Sequence, residues 1–368
     1  MKKSYKIQDL VDMFGLTTRT LRFWEEKGLL NSLLRVTGKR RVYGEDVIKR
    51  IKDIKSYKAR GLSLDDIKIQ IDKKEKKSKV LKNPIRIIIG SSSGIEEANM
   101  TKYEIDLIPS YILLDGKRFV DGVNISENNI QEIEFTELTT EPPTVDDYIY
   151  MYSEMAEEGA EEIISLHPSE SYCGSLANAR KALERAKGLK VHLLDTSSYG
   201  QIAELLAIIA RDKLSKGMTV DKVVKYLKQL IADHSSFWVA SSMLNMTNLG
   251  LVNVDFKKIV NPLFRSTLNY HPLLKMNNQI DEYQLISRAN GLIDAVDDLI
   301  AQIKEAHSSS KFPVKMMGVY YTCDKSKLNA LVLFLKDKGI PVFWQKSNFY
   351  MSATLGTESV VVNILYER

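Results

Sequence analysis

Cysteine is scarce: Cys173 and Cys323 are the only two in 368 residues, and they lie far apart in the chain. A disulfide framework and a cysteine-built zinc site are thereby excluded. The five histidines (His167, His192, His234, His271 and His307) show no ligand spacing either. Long apolar runs are missing; stretches such as Leu205–Ala210 fall far short of the roughly 20 residues that span a bilayer. The opening MKKSYKIQDLVDMFG is basic but has no continuous apolar core, so it is not read as a signal peptide. Internal repeats, a phosphate-binding loop, a Ser/His/Asp constellation and a paired-carboxylate signature are also lacking. A cytoplasmic protein with no metal, no cofactor, no membrane insertion and no catalytic role is the expectation.

Charge is present in quantity and is unevenly placed. Residues 1–84 carry 23 Lys/Arg against 11 Asp/Glu, a net of +12, while the remaining 29 basic and 36 acidic side chains leave −7. Such asymmetry suggests a basic module made for a polyanion, joined to a module with another task. At this length two or three domains are expected. A lysine-rich run, KKEKKSKV, leads to a linker at Asn83–Pro84.

The basic segment has a core of its own. Ile7, Leu10, Val11 and Phe14 recur at helical spacing, and Gly15 ends that helix. A second short helix starts at Thr17 or Thr18, either of which can cap it, and runs to Lys27. Residues 31–43, with Gly38 between extended stretches, read as a two-stranded wing. Gly44 opens a third helix, and Ser63 with Asp66 resembles a capping box for a fourth. In the second helix Leu21 can face the core while Arg19 and Arg22 share the exposed face. Guanidinium groups there can reach guanine edges or phosphates in a major groove, and Thr18 and Thr20 can bond phosphate oxygens. Lys39, Arg40 and Arg41 beside Tyr43 suit the backbone of the adjoining groove.

From Ile85 the pattern changes to strands alternating with helices, which predicts mostly parallel sheets with ligand sites at strand C-terminal ends. Strands are expected at 85–89, 162–167, 190–194, 237–240, 316–322, 342–345 and 360–365. The strand ending at His167 leads into Pro168-Ser169-Glu170-Ser171-Tyr172-Cys173-Gly174-Ser175 and a helix. Hydroxyls and backbone N–H groups before a helix can hold an anion. Thr139-Thr140-Glu141-Pro142-Pro143-Thr144 offers a second cluster of hydroxyl donors.

YKIQDLVDMFGLTTRTLRFWEEKGLL, then GKRRVYGEDVIKRI and ARGLSLDDIK, closely resembles the DNA-binding domain of MerR-type regulators. That resemblance implies a homodimer on a palindromic operator in double-stranded promoter DNA, meeting RNA polymerase indirectly. The long coiled-coil helix of such proteins is here cut short. Residues 85–368 resemble the DegV family of fatty-acid-binding proteins, through YILLDGKRFVDGVNIS, TTEPPTVDDY, SYCGSLANAR and TLNYHPLL. The resemblance implies two α/β lobes with an acyl chain between them and its carboxylate on hydroxyls. Thr140 falls on the carboxylate-binding threonine, and Cys173, a weaker donor, on or next to the serine, with Ser171, Gly174 and Ser175 around it. Ser91 and Ser92 stand in the family's opening D-S-T, Arg288 in ISRANG matches a family arginine, and His271, within TLNYHPLL, is expected near the pocket. Thr322-Cys323-Asp324 replaces H-A-D, and 353–358 replaces the glycine-rich C-terminal segment.

The expected architecture is a multidomain chain. An all-α, winged helix-turn-helix domain occupies 1–83, and a two-lobed α/β domain follows at 84–235 and 236–368. The expected function is a transcription regulator that senses a fatty acid or related acyl lipid. The alternatives are a fatty-acid carrier presenting acyl chains to a fatty-acid kinase, and an enzyme with Cys173 as nucleophile, which lacks a base partner.

Overall fold

The computed structural model describes residues 5–30, 33–35, 41–77, 83–125, 139–185, 189–241, 246, 271–277 and 282–368. The chain divides into two compact units, Met1–Leu81 and Lys82–Arg368.

In the first unit α1 (Ile7–Phe14) and α2 (Thr18–Glu26) are short amphipathic helices. Gly15, at φ +63°, ends α1 by placing its N–H on the Val11 carbonyl. Thr17, rather than Thr18, caps α2, its hydroxyl accepting from the Thr20 N–H at 3.0 Å. Leu10, Leu21 and Trp24 are buried together with Leu29, Val47 and Ile51. Strands β1 (Leu33–Arg35) and β2 (Arg41–Tyr43) pair antiparallel, Leu33 opposite Tyr43, as a wing requires. Helix α3 (Glu45–Ala59) then leads to α4 (Leu64–Lys77). Ser63 accepts from the Asp66 N–H and donates to its carboxylate at 2.7 Å, and a Lys74–Asp53 ion pair of 3.0 Å ties α4 to α3.

The second unit holds two larger sheets. Strands β3 (Ile85–Gly90), β4 (Ile105–Ile108), β8 (Glu162–His167) and β9 (Lys190–Asp195) form a parallel sheet in the order β4-β3-β8-β9. A three-stranded antiparallel sheet is made by β5 (Tyr111–Leu114), β6 (Lys117–Val120) and β7 (Thr139–Glu141). Helices α5 (Glu97–Lys102), α6 (Val145–Glu157), α7 (Ser175–Arg185), α8 (Ile202–Ser215) and α9 (Val220–Ala232) complete this half. The remainder contributes β10 (Ser235–Val239), β11 (His271–Asn277), β12 (Glu282–Ala289), β13 (Val314–Tyr321), β14 (Val342–Lys346) and β15 (Val360–Tyr366). Their order is β12-β11-β10-β15-β13-β14, with helices α10 (Leu292–Ser309), α11 (Asn329–Lys336) and α12 (Phe349–Leu355).

The expectation of mostly parallel sheets holds for the first sheet and fails for the second, where only β13 and β14 run parallel. The last strand, β15, inserts between β10 and β13 and runs against both. The hairpin β11–β12, which the sequence pattern does not announce, adds two further antiparallel strands.

Strand alternation sorts the side chains into layers. Ile88 and Ile163 turn toward α6 and α7, while Ile87, Ile89 and Leu166 turn the other way. Phe237, Leu273 and Val362 pack with Leu299 of α10 and Leu331 of α11, while Trp238 and Val361 face inward. One apolar cluster containing Leu205 and Leu206 of α8 and Leu227 of α9 therefore joins residues of both halves. Gly318 of β13 allows α8 its close approach, since a Cβ there would stand 2.7 Å from Leu205 Cδ1.

Candidate functional sites

The helical spacing of α2 leaves Arg19 and Arg22 exposed on one side while Leu21 and Trp24 hold the other in the core. Thr18 and Thr20 are half-buried, and the Thr20 hydroxyl lies 2.8 Å from that of Thr17. Phe23 adds an exposed ring between these arginines and the helix end. Arg41 lies on β2, and Lys39 and Arg40 fall outside the described residues. Tyr43 needs a correction: its ring is buried and its hydroxyl donates to Glu25 Oε1 at 2.7 Å. It fastens the wing to α2 from inside, and is not an exposed backbone contact.

The parallel sheet brings the second site together. From β3 the chain moves to β4 on one side, and from β8 to β9 on the other. The loops after β3 and β8 therefore diverge at a topological switch point, the place beyond the strand C-termini where ligands bind in open α/β sheets. The Ser91–Ser93 turn follows β3, residues 168–174 follow β8, and residues 196–201 follow β9. Thr140 arrives from β7 and Tyr350 from α12.

Four of these residues converge. The hydroxyls of Tyr199 and Tyr350 lie 2.8 Å apart, and the Thr140 hydroxyl is within hydrogen-bonding reach of both. The Cys173 thiol sits close enough to raise both phenols further above their ordinary range, beyond what burial does. Burial pushes Cys173 itself up to about 11, so it stays a neutral thiol. Beneath them, burial pushes the Asp121 carboxyl up to about 7, against hydrogen bonds from Ser91 and from the Tyr350 and Gly122 backbone. Ser91 is buried, its hydroxyl accepting from the Ser110 N–H at 2.9 Å and its carbonyl from Asn348 Nδ2 at 3.0 Å. Ser92 is buried in the same turn.

The turn after β8 differs from the open anion cradle that its composition suggests. Its N–H groups bond inward: Ser169 to the Ser198 carbonyl, Tyr172 and Cys173 to the Ser169 carbonyl, and Ser171 to the Ser169 hydroxyl. Ser171 and Gly174 are exposed. The Ser175 hydroxyl points into the core, 2.7 Å from the Tyr148 hydroxyl and 3.0 Å from His167 Nδ1. His167 completes that network through Nε2 to Ser165 at 2.8 Å, and burial holds its pKa down to about 3. It is a neutral core histidine that stiffens the turn from behind.

No hydrogen bond ties His271 or Arg288 to Thr140 or Cys173 among the bonds of the described residues. They lie at the end of the β11–β12 hairpin opposite to Met276 and Tyr283, which meet Tyr172. His271 is buried with Nε2 3.8 Å from Glu358, and Arg288 is exposed. Sequence reasoning missed Tyr199, Tyr350 and Asp121. Tyr199 stands in a loop at a strand C-terminal end, a position that could have flagged it; nothing local marks Tyr350.

A winged helix-turn-helix joined to a doubly sheeted α/β domain with a buried cluster of hydroxyls at its switch point is thus the class of protein defined by the fold. The model of the family described as uncharacterised protein, DegV family, matches residues 84–359, and that of MerR HTH family regulatory protein matches 5–74. The chain belongs to the DegV family, with a MerR-type module ahead of the family's domain. A DegV domain-containing protein of Listeria monocytogenes is 20% identical over 232 residues, covering 62% of this chain and 80% of that protein. One of Streptomyces coelicolor is 22% identical over 257 residues, covering 69% and 87%. Among solved structures, a DegV lipid binding protein from Thermotoga maritima superposes with a TM-score of 0.64 at 21% identity, covering 77% of this chain and 99% of its own. A DegV family protein from Thermus thermophilus, described by its fatty acid binding, gives 0.64 at 20% identity over 77% and 99%. One from Eubacterium eligens loaded with heptadecanoic acid gives 0.62 at 15% over 77% and 100%. Among the described residues no helix is long and apolar enough to cross a membrane.

Proposed function

We propose that the chain is a one-component transcription regulator: a MerR-type module binds double-stranded promoter DNA, and the DegV domain senses a fatty acid or related acyl lipid. The observation that carries the ligand half is the convergence of Thr140, Tyr199 and Tyr350 hydroxyls beside Cys173 at the switch point of the parallel sheet. Hydroxyls donate to a carboxylate without a cationic side chain, and the tail supplies most of the affinity, at about 0.8 kcal/mol per buried methylene. The fatty acids carried by several DegV neighbours of the same fold support that class of ligand.

Exposed Arg19 and Arg22 on α2 support the DNA half. The protein acts as a homodimer on a palindromic operator and meets RNA polymerase only through the promoter. The carrier reading is weaker, because the residues at its key positions are structural. Thr322 donates to the Gly356 carbonyl at 2.8 Å, and Asp324 caps the turn that follows. A Cys173 nucleophile is disfavoured by a thiol held at about 11.

The test is thermodynamic coupling. Operator is titrated into delipidated and acyl-loaded protein at one fixed salt concentration, then the order is reversed. A coupling of roughly 5–150-fold is expected, identical in both directions. Equal operator affinities with and without lipid would make the lobes passive and defeat the sensor reading.

A further inference from the structure

A second polar cluster lies in the interior where α8 meets the six-stranded sheet. Gln201 caps α8 and Glu204 follows three residues later, its N–H on the Gln201 carbonyl. Both side chains are fully buried. Asn99 of α5 donates to Glu204 Oε1 at 3.2 Å and to Gln345 Oε1 at 2.5 Å, and Gln345 Nε2 donates to the Gly94 carbonyl. Three neighbouring groups remain without hydrogen bonds of good geometry: both amide atoms of Gln201, Glu204 Oε2, and the hydroxyl of buried Tyr320, which faces Glu204. Buried polar atoms are rarely left so, and an unsatisfied group of this kind points to something that belongs between them.

The donor set narrows what that is. Gln201 supplies a donor and an acceptor side by side, and burial, opposed by the hydrogen bond from Asn99 and by the nearby Tyr320 and Gln345 side chains, pushes the Glu204 carboxyl up to about 8. A neutral carboxyl gives a cation little to bind, and an anion would meet acceptor oxygens. A hydroxyl both donates and accepts and fits the mixture. The cluster also adjoins the first site: Gln201 is two residues beyond Tyr199, and its Cγ lies 3.4 Å from where a Cβ on Gly94 would stand. Gly94 ends the Ser91–Ser93 turn that lines the first site.

We propose that Gln201, Glu204 and Tyr320 form an interior socket for a hydroxyl group on the bound acyl chain, so that the preferred ligand is a hydroxylated fatty acid. The inference rests on the acyl reading of the Thr140–Tyr199–Tyr350 cluster and specifies its ligand. A chain lacking the hydroxyl leaves the socket's polar atoms desolvated and unpaired, and a site built for a hydroxyl discriminates on that ground.

The experiment is calorimetric titration of delipidated full-length protein with octadecanoic acid and with its positional hydroxy isomers. At least one isomer is expected to bind tenfold or more tighter than the unsubstituted acid. Gln201→Met, close in shape but without the amide, should abolish the preference, so that the isomer and the plain acid bind within about twofold of each other. If octadecanoic acid binds and no isomer exceeds it, the socket holds only water and the proposal is overturned while the acyl reading stands. If no acid of the series binds, the acyl reading itself fails and the proposal falls with it. The wild-type comparison decides the matter even where the variant does not fold.

Discussion

Tyr199 and Tyr350 are separated by 151 positions, yet their hydroxyls lie 2.8 Å apart. One belongs to the loop that leaves the parallel sheet, the other to a short helix of the second half. Their bond joins the two halves at the same point where Thr140 and Cys173 arrive. A ligand carboxylate entering here would exchange a phenol–phenol bond for charge-assisted ones, which are shorter and stronger.

Removing one phenol hydroxyl should therefore weaken head-group binding without emptying the core. Tyr350→Phe is expected to lower affinity for a C16–C18 acid by about 1 kcal/mol, and Thr140→Val by a similar amount. Cys173→Ser restores a stronger donor and should tighten binding. Calorimetry on delipidated protein reads all three. Unchanged affinity in Tyr350→Phe together with Thr140→Val would move the head group elsewhere.

The two sides of α2 should separate in their effects on DNA. Arg22→Ala is expected to cost about 1–3 kcal/mol of operator affinity if the guanidinium reads a base edge. If it contacts phosphate instead, the log–log salt slope should fall by about one unit. Tyr43→Phe loses the hydroxyl bond to Glu25 and should lower stability by about 1 kcal/mol while keeping the salt slope. A change of slope in Tyr43→Phe would return that residue to the DNA surface.

Stability should fall as pH rises through neutrality. Asp121 and Glu204, pushed up to about 7 and about 8, keep their protons in the folded chain where the unfolded carboxyls have lost them. The folded state then binds more protons, so raising pH favours unfolding until both are ionised. His167, held at about 3, acts in the opposite sense, but only below its unfolded value of 6.5. Between about 6.5 and 8 the carboxyls act without it. Urea titrations across that window should show declining stability, flattened in an Asp121→Asn, Glu204→Gln double variant. An identical decline in the variant would assign it to other groups.

Close approach at Gly318 should be intolerant of even one carbon. A Cβ there meets Leu205 Cδ1 and the Tyr320 ring, both at 2.7 Å. Gly318→Ala is expected to destabilise the second unit by about 1–3 kcal/mol, measured by denaturant midpoint. An unchanged midpoint would show that α8 shifts freely on the sheet.

Local chemistry determined much of this protein from sequence alone. Periodicity located α1 to α4 and most strands, because an amphipathic element carries its own pattern. The charge split and the Arg19/Arg22 spacing announced an exposed basic face on α2, and the segments of Thr140 and Cys173 were legible through their resemblance. Tertiary structure decided the rest. It buried Tyr43 against Glu25, a contact set by how the wing folds back on α2. It turned Ser175 onto His167 and left His271 and Arg288 at the far end of a hairpin. It ran β15 against β10 and β13, so the second sheet is largely antiparallel despite its alternating elements. Tyr350, Asp121 and Gln201 acquired their neighbours only when distant segments met. Periodicity records which face of an element is buried, but not which hydroxyl another element will bring to it.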